Sequence, residues 1–536
     1  VGVPLCNTIQ WKEELMQKSV IIIGGGIAGL SAGCYACMNG YDATIFELHT
    51  IPGGLCTSWR RKGYTMDGCL QYLTGSGPAA NAHQMWRELG ALQDKQIFDR
   101  SEFIRVQGND GRELVFYADL ERFRTHLHAL DAQDSRLIDN FCDGALALAK
   151  LDLPLDMPLT PQENLKFGIS MLPYLRPVLK WNGVSMFAYA ARFKDPFLRE
   201  ALPHFFQFAH PTFPMTIMLM TMGLFHKRNA GFPLGGSLKF ALGIARRFEA
   251  LGGNLHCRTR VTDILVESGS DGDRAVGVRL DDGSEQRADY VISACDGYDV
   301  LFTMLEGRYC TDKIRNYYQT LPIAGPIVQV SLGVARDMSA IPHSINFPMQ
   351  KPRLLAGKPT NRLVAKHYAY DPSLAPAGKS AVTLWLDADY EYWKRVYAQN
   401  EAYEDAQDEV ADVVIDELDA RLPGFKSQVE VVDVATPPTY ERFTENWRGA
   451  IAGWSITSRK MSMMMGKGMD KQLPGLRNFY MIGQWVEPAG NVELSAASGR
   501  DAIKLLCRAD KQPFATTLPP AQAAAPERAA IPGTAA

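Results

Sequence analysis

Val20-Ile21-Ile22-Ile23 puts four apolar, β-branched residues in succession. A strand with one wet face alternates polar and apolar positions, so this run predicts a strand buried on both faces of a parallel sheet. The chain then passes glycines and a small, apolar stretch that predicts a helix over residues 27–39, stopped by Asn39-Gly40. Ala43-Thr44-Ile45-Phe46 predicts a second strand, which completes a strand, helix, strand opening.

Further along, two strand-like runs between Val106 and Tyr117 flank Asn109-Asp110-Gly111, whose residues tolerate positive φ, and so predict a hairpin in a new sheet. Residues 120–230 are helical in pattern but interrupted by Pro173, Pro177, Pro196, Pro203, Pro211 and Pro214, which predicts a subdomain of broken helices. From Gly235 the pattern runs helix, then strands at 254–257 and 261–266, a hairpin at Asp281-Asp282-Gly283, and a strand at Tyr290-Val291-Ile292-Ser293. Strands over 327–334 and 381–386 belong to the second sheet, and 404–422 predicts an acidic amphipathic helix. Phe479-Tyr480-Met481-Ile482 is the last predicted buried strand. After Lys511 the composition turns to Ala, Pro and Thr, and a disordered tail is expected over 511–536.

A chain of 536 residues exceeds one ordinary core and predicts two closely packed domains plus a tail. Its 46% hydrophobic and 21% charged residues exclude global disorder. With 56 Lys+Arg against 59 Asp+Glu and no long basic run, no nucleic-acid partner is expected. The ten cysteines are scattered singly, which predicts reduced thiols in a cytoplasmic protein. Cys34 and Cys37 form a CxxC on the first predicted helix, but neither a second CxxC nor a nearby His accompanies them; they predict packed thiols, and no metal site. Residues 1–18 include Lys12, Glu13, Glu14 and Lys18 and do not read as a secretory signal. No run of ~18 apolar residues predicts a spanning helix, whereas peripheral contact with a membrane surface fits.

The first chemical signal is Gly24-Gly25-Gly26-Ile27-Ala28-Gly29, a GxGxxG placed between strand and helix. In that setting Gly24 permits the tight turn, Gly26 lets a pyrophosphate approach the helix N-terminus, and Gly29 lets helix and strand pack closely. Glu47 closes the second strand, where a carboxylate accepts hydrogen bonds from a ribose. This unit predicts a dinucleotide site, and NAD and FAD both fit it.

Pro52-Gly53-Gly54, Gly483-Gln484-Trp485 and Ser498-Gly499-Arg500 extend the pattern. With these residues the chain resembles the FAD-dependent family of bacterial carotenoid (phytoene) desaturases, carotenoid isomerases and retinol saturases, within the amine-oxidase-like superfamily. The resemblance covers most of residues 18–508. It is strongest over 20–67, at Phe232-Pro233-Leu234-Gly235-Gly236, at Ala288-Asp289-Tyr290-Val291 and over 478–500. It implies an α/β protein with a discontinuous, Rossmann-like FAD-binding domain (18–100, 231–300 and 470–510). A substrate-binding domain with a mixed sheet and a helical subdomain takes 101–230 and 301–469.

The resemblance also implies FAD as cofactor, held by Gly24, Gly26, Gly29, Glu47, Gly53 and Gly54, with the backbone of Val261 facing adenine. Gly483, Gln484, Gly490 and Val492 would flank the isoalloxazine. The chain departs from the family pattern in three places. Leu55 stands where an Arg is common, which passes pyrophosphate neutralisation to Arg60, Arg61 or backbone alone. Gln484 replaces a usual acid, and Ala489-Gly490-Asn491-Val492-Glu493 replaces a run of glycines, so that Glu493 brings a carboxyl to the flavin segment. Glu493 is the acid/base candidate, on the expectation that a buried carboxyl beside a flavin has a raised pKa. Gln71 is a second catalytic candidate, and Tyr72, Tyr440, Asn446 and Trp454 are further candidates to line the site.

Met215, Met218, Met220 and Met222 suit either a core helix or the wall of a cavity for a flexible hydrocarbon. Between Phe167 and Trp181, Ile169, Met171, Leu172, Tyr174, Leu175, Val178 and Leu179 stand with Lys166, Arg176 and Lys180, a composition for a membrane interface, although two prolines argue against one regular helix. The expected activity is FAD-dependent oxidoreduction at carbon–carbon bonds of a long apolar polyene or isoprenoid, by desaturation, saturation or isomerisation. The alternatives are a flavin amine or amino-acid oxidase and a non-catalytic lipid-binding escort.

Overall fold

The computed structural model describes residues 17–152, 158, 160–208, 210–455, 469–487 and 490–520. The fold is α/β. Its first sheet contains five parallel strands in the order Asn254–Cys257, Asp42–Glu47, Ser19–Ile23, Tyr290–Ser293, Phe479–Met481. Segments far apart in the chain thus share one sheet, with the Val20-Ile23 run at its centre. Val20 and Ile22 point to one face and pack with the helices Ile27–Met38, Gly236–Ala250 and Val492–Ala509. Ile21 and Ile23 point to the other face, against Val261, Ile264 and Val278 of a small sheet made by Val261–Gly269, Gly272–Leu280, Glu285–Arg287 and Leu476–Arg477. Both faces are dry, which is why the run carries no polar position; each buried aliphatic side chain contributes roughly 1.5–3 kcal/mol.

The glycine turn fixes the first helix against this sheet. A Cβ on Gly29 would lie 2.0 Å from the Gly24 carbonyl oxygen, so no larger residue allows the helix to start so close to the strand. The helix is buried on almost every side, between Val492–Ala509 and Gly236–Ala250.

The second large sheet has seven strands in the order Val429–Ala435, Ile327–Val334, Ser380–Asp387, Lys358–His367, Ser344–Leu355, Glu102–Gln107, Glu113–Tyr117. It is mixed: Ser344–Leu355 runs parallel to Glu102–Gln107, and the other neighbours are antiparallel. The expected hairpin joins the last two strands, with Gly111 at φ 81°. Helices between Leu120 and His226 pack against one side of this sheet around Phe116, Phe123, Phe141 and Trp181.

Two sequence expectations need correction. Pro161–Asn182 is one 22-residue helix in spite of Pro173 and Pro177. Thr160 and Glu163 form a capping box at its start, Pro161 sits where no N–H is needed, and the carbonyls that the inner prolines leave without partners belong to Ile169 and Pro173, both exposed to water. The expected disordered tail also starts too early. Phe514 packs on the rings of Tyr35 and the guanidinium of Arg500, Arg247 donates to the Thr517 carbonyl, and the Ala515 N–H donates to Asn39. An aromatic and backbone partners within the Ala/Pro-rich stretch tie residues 512–520 to the first helix layer; residues 521–536 lie outside the described set.

Candidate flavin cleft and adjoining cavity

Two helix N-termini open on one cleft. The first helix starts at Gly26 with no side-chain cap, leaving its first-turn N–H groups directed at the cleft. The last, Val492–Ala509, is capped by Asn491, whose Oδ1 accepts the Leu494 N–H at 2.7 Å. Both ends carry partial positive charge suited to phosphate or to an electron-rich ring. Gly53 lies across the glycine turn, its N–H donating to the Gly25 carbonyl at 2.9 Å. A Cβ on Gly26 would meet only Gly54 Cα, at 4.0 Å, so the space above Gly26 is open.

At the far end of the cleft Glu47 is held by two backbone donors, Gly25 N–H on Oε2 at 2.6 Å and His49 N–H on Oε1 at 2.8 Å. Burial raises its pKa, and these donors oppose that rise. Val261 closes this end. At the other end Gly483 donates to Ser498 Oγ, and Gln484 Nε2 donates to Asn446 Oδ1 at 2.8 Å. Gly490 must be glycine: its φ is 32°, and a Cβ would lie 2.2 Å from the Ala452 carbonyl oxygen.

The structure brings Gly24, Gly26, Glu47, Gly53, Gly54, Val261, Gly483, Gln484, Gly490 and Val492 to the walls of this one cleft, while Gly29 serves the packing beneath it. Arg60 and Arg61 are corrected. Both are exposed, and Arg61 pairs with Asp433 at 2.7 Å, because the strand Ser58–Arg61 leads away from the glycines toward the second sheet. Among the described residues the cation on the cleft is instead Arg260, paired with Glu445 at 2.6 Å. Its adjacency to Val261 was the one available signal. Asp296 was also missed: burial pushes its carboxyl up to about 7, while Trp447 and Asp299 donate backbone N–H groups to it.

Beyond Gly490, Asn491 and Val492 the cleft continues into a cavity of about 290 Å³ that Gln71, Tyr72, Lys366, Tyr440 and Glu493 line. Through Tyr72, Phe206, Ile451 and Glu493 this joins an apolar cavity of about 1120 Å³ bounded by Phe187, Phe213, Met220 and Trp454. Glu493 therefore faces an interior space at the junction of both cavities. Burial and the charge of Asp152 raise its carboxyl to about 7, against a hydrogen bond from Thr74. Gln71 Oε1 accepts a hydrogen bond from Lys366 Nζ. Met215, Met218 and Met222 are core residues of the helix Met215–His226, and Met220 is the one that reaches the cavity. Cys34 is buried and Cys37 half-buried, both as free thiols.

A cleft with a bonded acid at one end, open space over Gly26, and two helix N-termini facing it fits a dinucleotide such as FAD. Comparison with known proteins agrees. The model of the family described as flavin containing amine oxidoreductase matches residues 27–502. The chain is 22% identical to a 4,4'-diapophytoene desaturase of Methylomonas sp over 93% of this chain and 96% of that one. It is 23% identical to the chloroplastic prolycopene isomerase 2 of an Oncidium hybrid cultivar, covering 91% and 83%. Among solved structures, putrescine oxidase bound to putrescine aligns with TM-score 0.58 at 14% identity over 92% of this chain and 100% of the other. An oxidoreductase from Methanosarcina mazei aligns with TM-score 0.58 at 16% identity, covering 91% and 100%. The matched family model spans both helix N-termini of the cleft, and the chain belongs to the flavin-containing amine oxidoreductases as an FAD-dependent oxidoreductase.

Proposed function

We propose that this oxidoreductase acts on carbon–carbon bonds of a long apolar polyene or isoprenoid, by desaturation, saturation or cis/trans isomerisation. The observation that carries this reading is the continuous space of about 290 and about 1120 Å³ that begins at the Gly490-Glu493 segment and is lined in large part by aromatic and aliphatic side chains. Relatives named for diapophytoene desaturation and prolycopene isomerisation support a polyene as substrate.

Bound FAD supplies the two-electron chemistry. The protein's own residues do the rest. Gly24, Gly26, Glu47, Gly53, Gly54 and Val261 hold the adenosine and pyrophosphate portion, and Gly483, Gln484, Gly490 and Val492 orient the ring system. Apolar walls exclude water from the reacting carbons. Glu493 holds or delivers a proton at its carboxyl, and Gln71 orients the chain beside it. An ammonium substrate is disfavoured because Arg100 puts positive charge in the inner cavity.

The helix Pro161–Asn182 supports peripheral contact with a membrane from which such a substrate is drawn. Leu165, Ile169, Leu172, Leu175 and Leu179 are each about half or more exposed (66, 58, 61, 49 and 53%), beside Lys166, Arg176 and Lys180. Tyr174 ties this helix to the Lys150 carbonyl, next to Leu151 and Asp152 on the wall of the large cavity. No described helix is long and apolar enough to cross a membrane.

Anaerobic mixing of the FAD-loaded protein with polyenes and with amines in detergent tests the assignment. Flavin absorbance is expected to change with a polyene, whose product then fixes the direction of reaction. Bleaching by amines alone would overturn it in favour of an amine oxidase.

A further inference from the structure

Arg100 and Lys366 both face the 290 Å³ cavity, and among the described residues neither is within ion-pair distance of a carboxylate. Arg100 is held rigidly: its guanidinium lies over the rings of Tyr370, at 5.3 Å, and Phe232, at 5.7 Å, and Nη2 donates to Tyr370 Oη at 2.8 Å. Its Nε is buried with no hydrogen-bond partner. Lys366 Nζ donates to the neutral Gln71 and Gln207 and sits 5.4 Å from the Trp385 ring. Burial and the charge of Arg100 push the Lys366 ammonium down to about 7.

Positive charge gathered in a largely buried cavity without a counter-charge is costly, and an orphaned guanidinium N–H adds to that cost. A hydrocarbon cavity gains nothing from either. The carboxyl in the same cavity does not neutralise them: the charged neighbour of Glu493 is Asp152, and that of Lys366 is Arg100. Planar guanidinium and a nearby ammonium match the two oxygens of a carboxylate.

We propose that Arg100 and Lys366 form a subsite for a carboxylate at one end of the substrate, so that the substrate is a long apolar acid rather than a plain hydrocarbon. This rests on the reading of the cavities as the place where an apolar chain is oxidised or reduced. The carboxylate oxygens accept from the cavity-facing side of the Arg100 guanidinium and from Lys366 Nζ, while the chain extends past Tyr72 and Glu493 into the larger cavity.

The test measures binding to the FAD-loaded protein by quenching of tryptophan emission, using a C20 polyene carboxylic acid and its methyl ester, and a saturated C18 fatty acid and its methyl ester. Each acid is expected to bind about tenfold or more tightly than its ester, the difference carried by a charged hydrogen bond. Arg100→Gln and Lys366→Met are expected to remove that preference while leaving flavin content unchanged. Equal binding of acid and ester by the unaltered protein, or a preference that survives both substitutions, would overturn the subsite. An acid preference shared by the saturated chain, with no polyene altering the flavin spectrum, would keep the subsite and overturn the polyene reading.

Discussion

Gly26 sits at φ −70°, a value valine adopts, and a Cβ there meets no atom nearer than 4.0 Å. Gly26→Val should therefore fold and yet fill the space a pyrophosphate needs. The expected product is colourless protein with the circular dichroism of the wild type; full flavin absorbance would show that the cofactor passes elsewhere. Glu493 carries a second test. Its carboxyl is raised to about 7 from a usual 4.5, so Glu493→Gln should keep FAD, slow turnover on the order of 100-fold, and remove a titration near pH 7 from the rate profile. Linkage gives an independent sign. Below pH 4.5 the group is protonated whether folded or not; between 4.5 and 7 the unfolded chain ionises first, and stability falls as pH rises. The glutamine variant should thus melt above wild type at pH 8 and level with it near pH 4. Single residues were legible where the strand, glycine turn and helix place them locally, as at Gly24, whose φ is 98°, and at Gly26 and Glu47. They were illegible where the partner comes from elsewhere in the chain: Arg60 and Arg61 are near the glycines in sequence but carried off by their strand, and Arg260 reaches the cleft from the end of another.

The elements that follow one periodicity were read closely from sequence. Tyr290–Ser293 and Asn254–Cys257 keep their predicted bounds, and the first helix ends one residue before its expected stop. Failures occurred where a local rule met a permissive setting. Two prolines did not break Pro161–Asn182 because water solvates the carbonyls they free. Its exposed leucines add little to folding, so Ile169→Asp with Leu172→Asp should leave the melting temperature unchanged within a degree or two. Loss of that apolar surface should weaken sedimentation with anionic vesicles by about tenfold or more, since each buried aliphatic contributes roughly 1.5–3 kcal/mol. Unaltered vesicle binding would move the membrane contact to another face. Composition misled in the opposite sense at 512–520, where one aromatic among Ala and Pro suffices to dock the segment. Truncation after Lys511 should lower stability by about 1–3 kcal/mol through loss of Phe514 and the Arg247 bond to Thr517, measured by urea unfolding.

At the scale of the molecule, the working space belongs to neither large sheet alone. The parallel sheet ends at the glycine cleft; the mixed sheet supplies Lys366, Ser344 and Trp385; the helix Met215–His226 supplies Ile217 and Met220, and the segment before it Phe206. Its continuity depends on contacts between segments more than a hundred residues apart, a relation no local pattern encodes. The proposed path sets an order: a chain that enters by the larger cavity would pass Met220 and Ile217, reach Glu493, and end among Gln71, Lys366 and Arg100. An obstruction halfway along must then discriminate by length. Met220 lines the large cavity at partial burial and packs against the helical core, so Met220→Trp places extra bulk in the path with modest disturbance of that core. A substrate long enough to span both cavities should lose at least about tenfold in kcat/KM, whereas one short enough to sit between Glu493 and Arg100 should keep its rate. Equal losses for both lengths, measured with the same flavin content, would mean that the large cavity is not the path and that the substrate reaches Glu493 from another side.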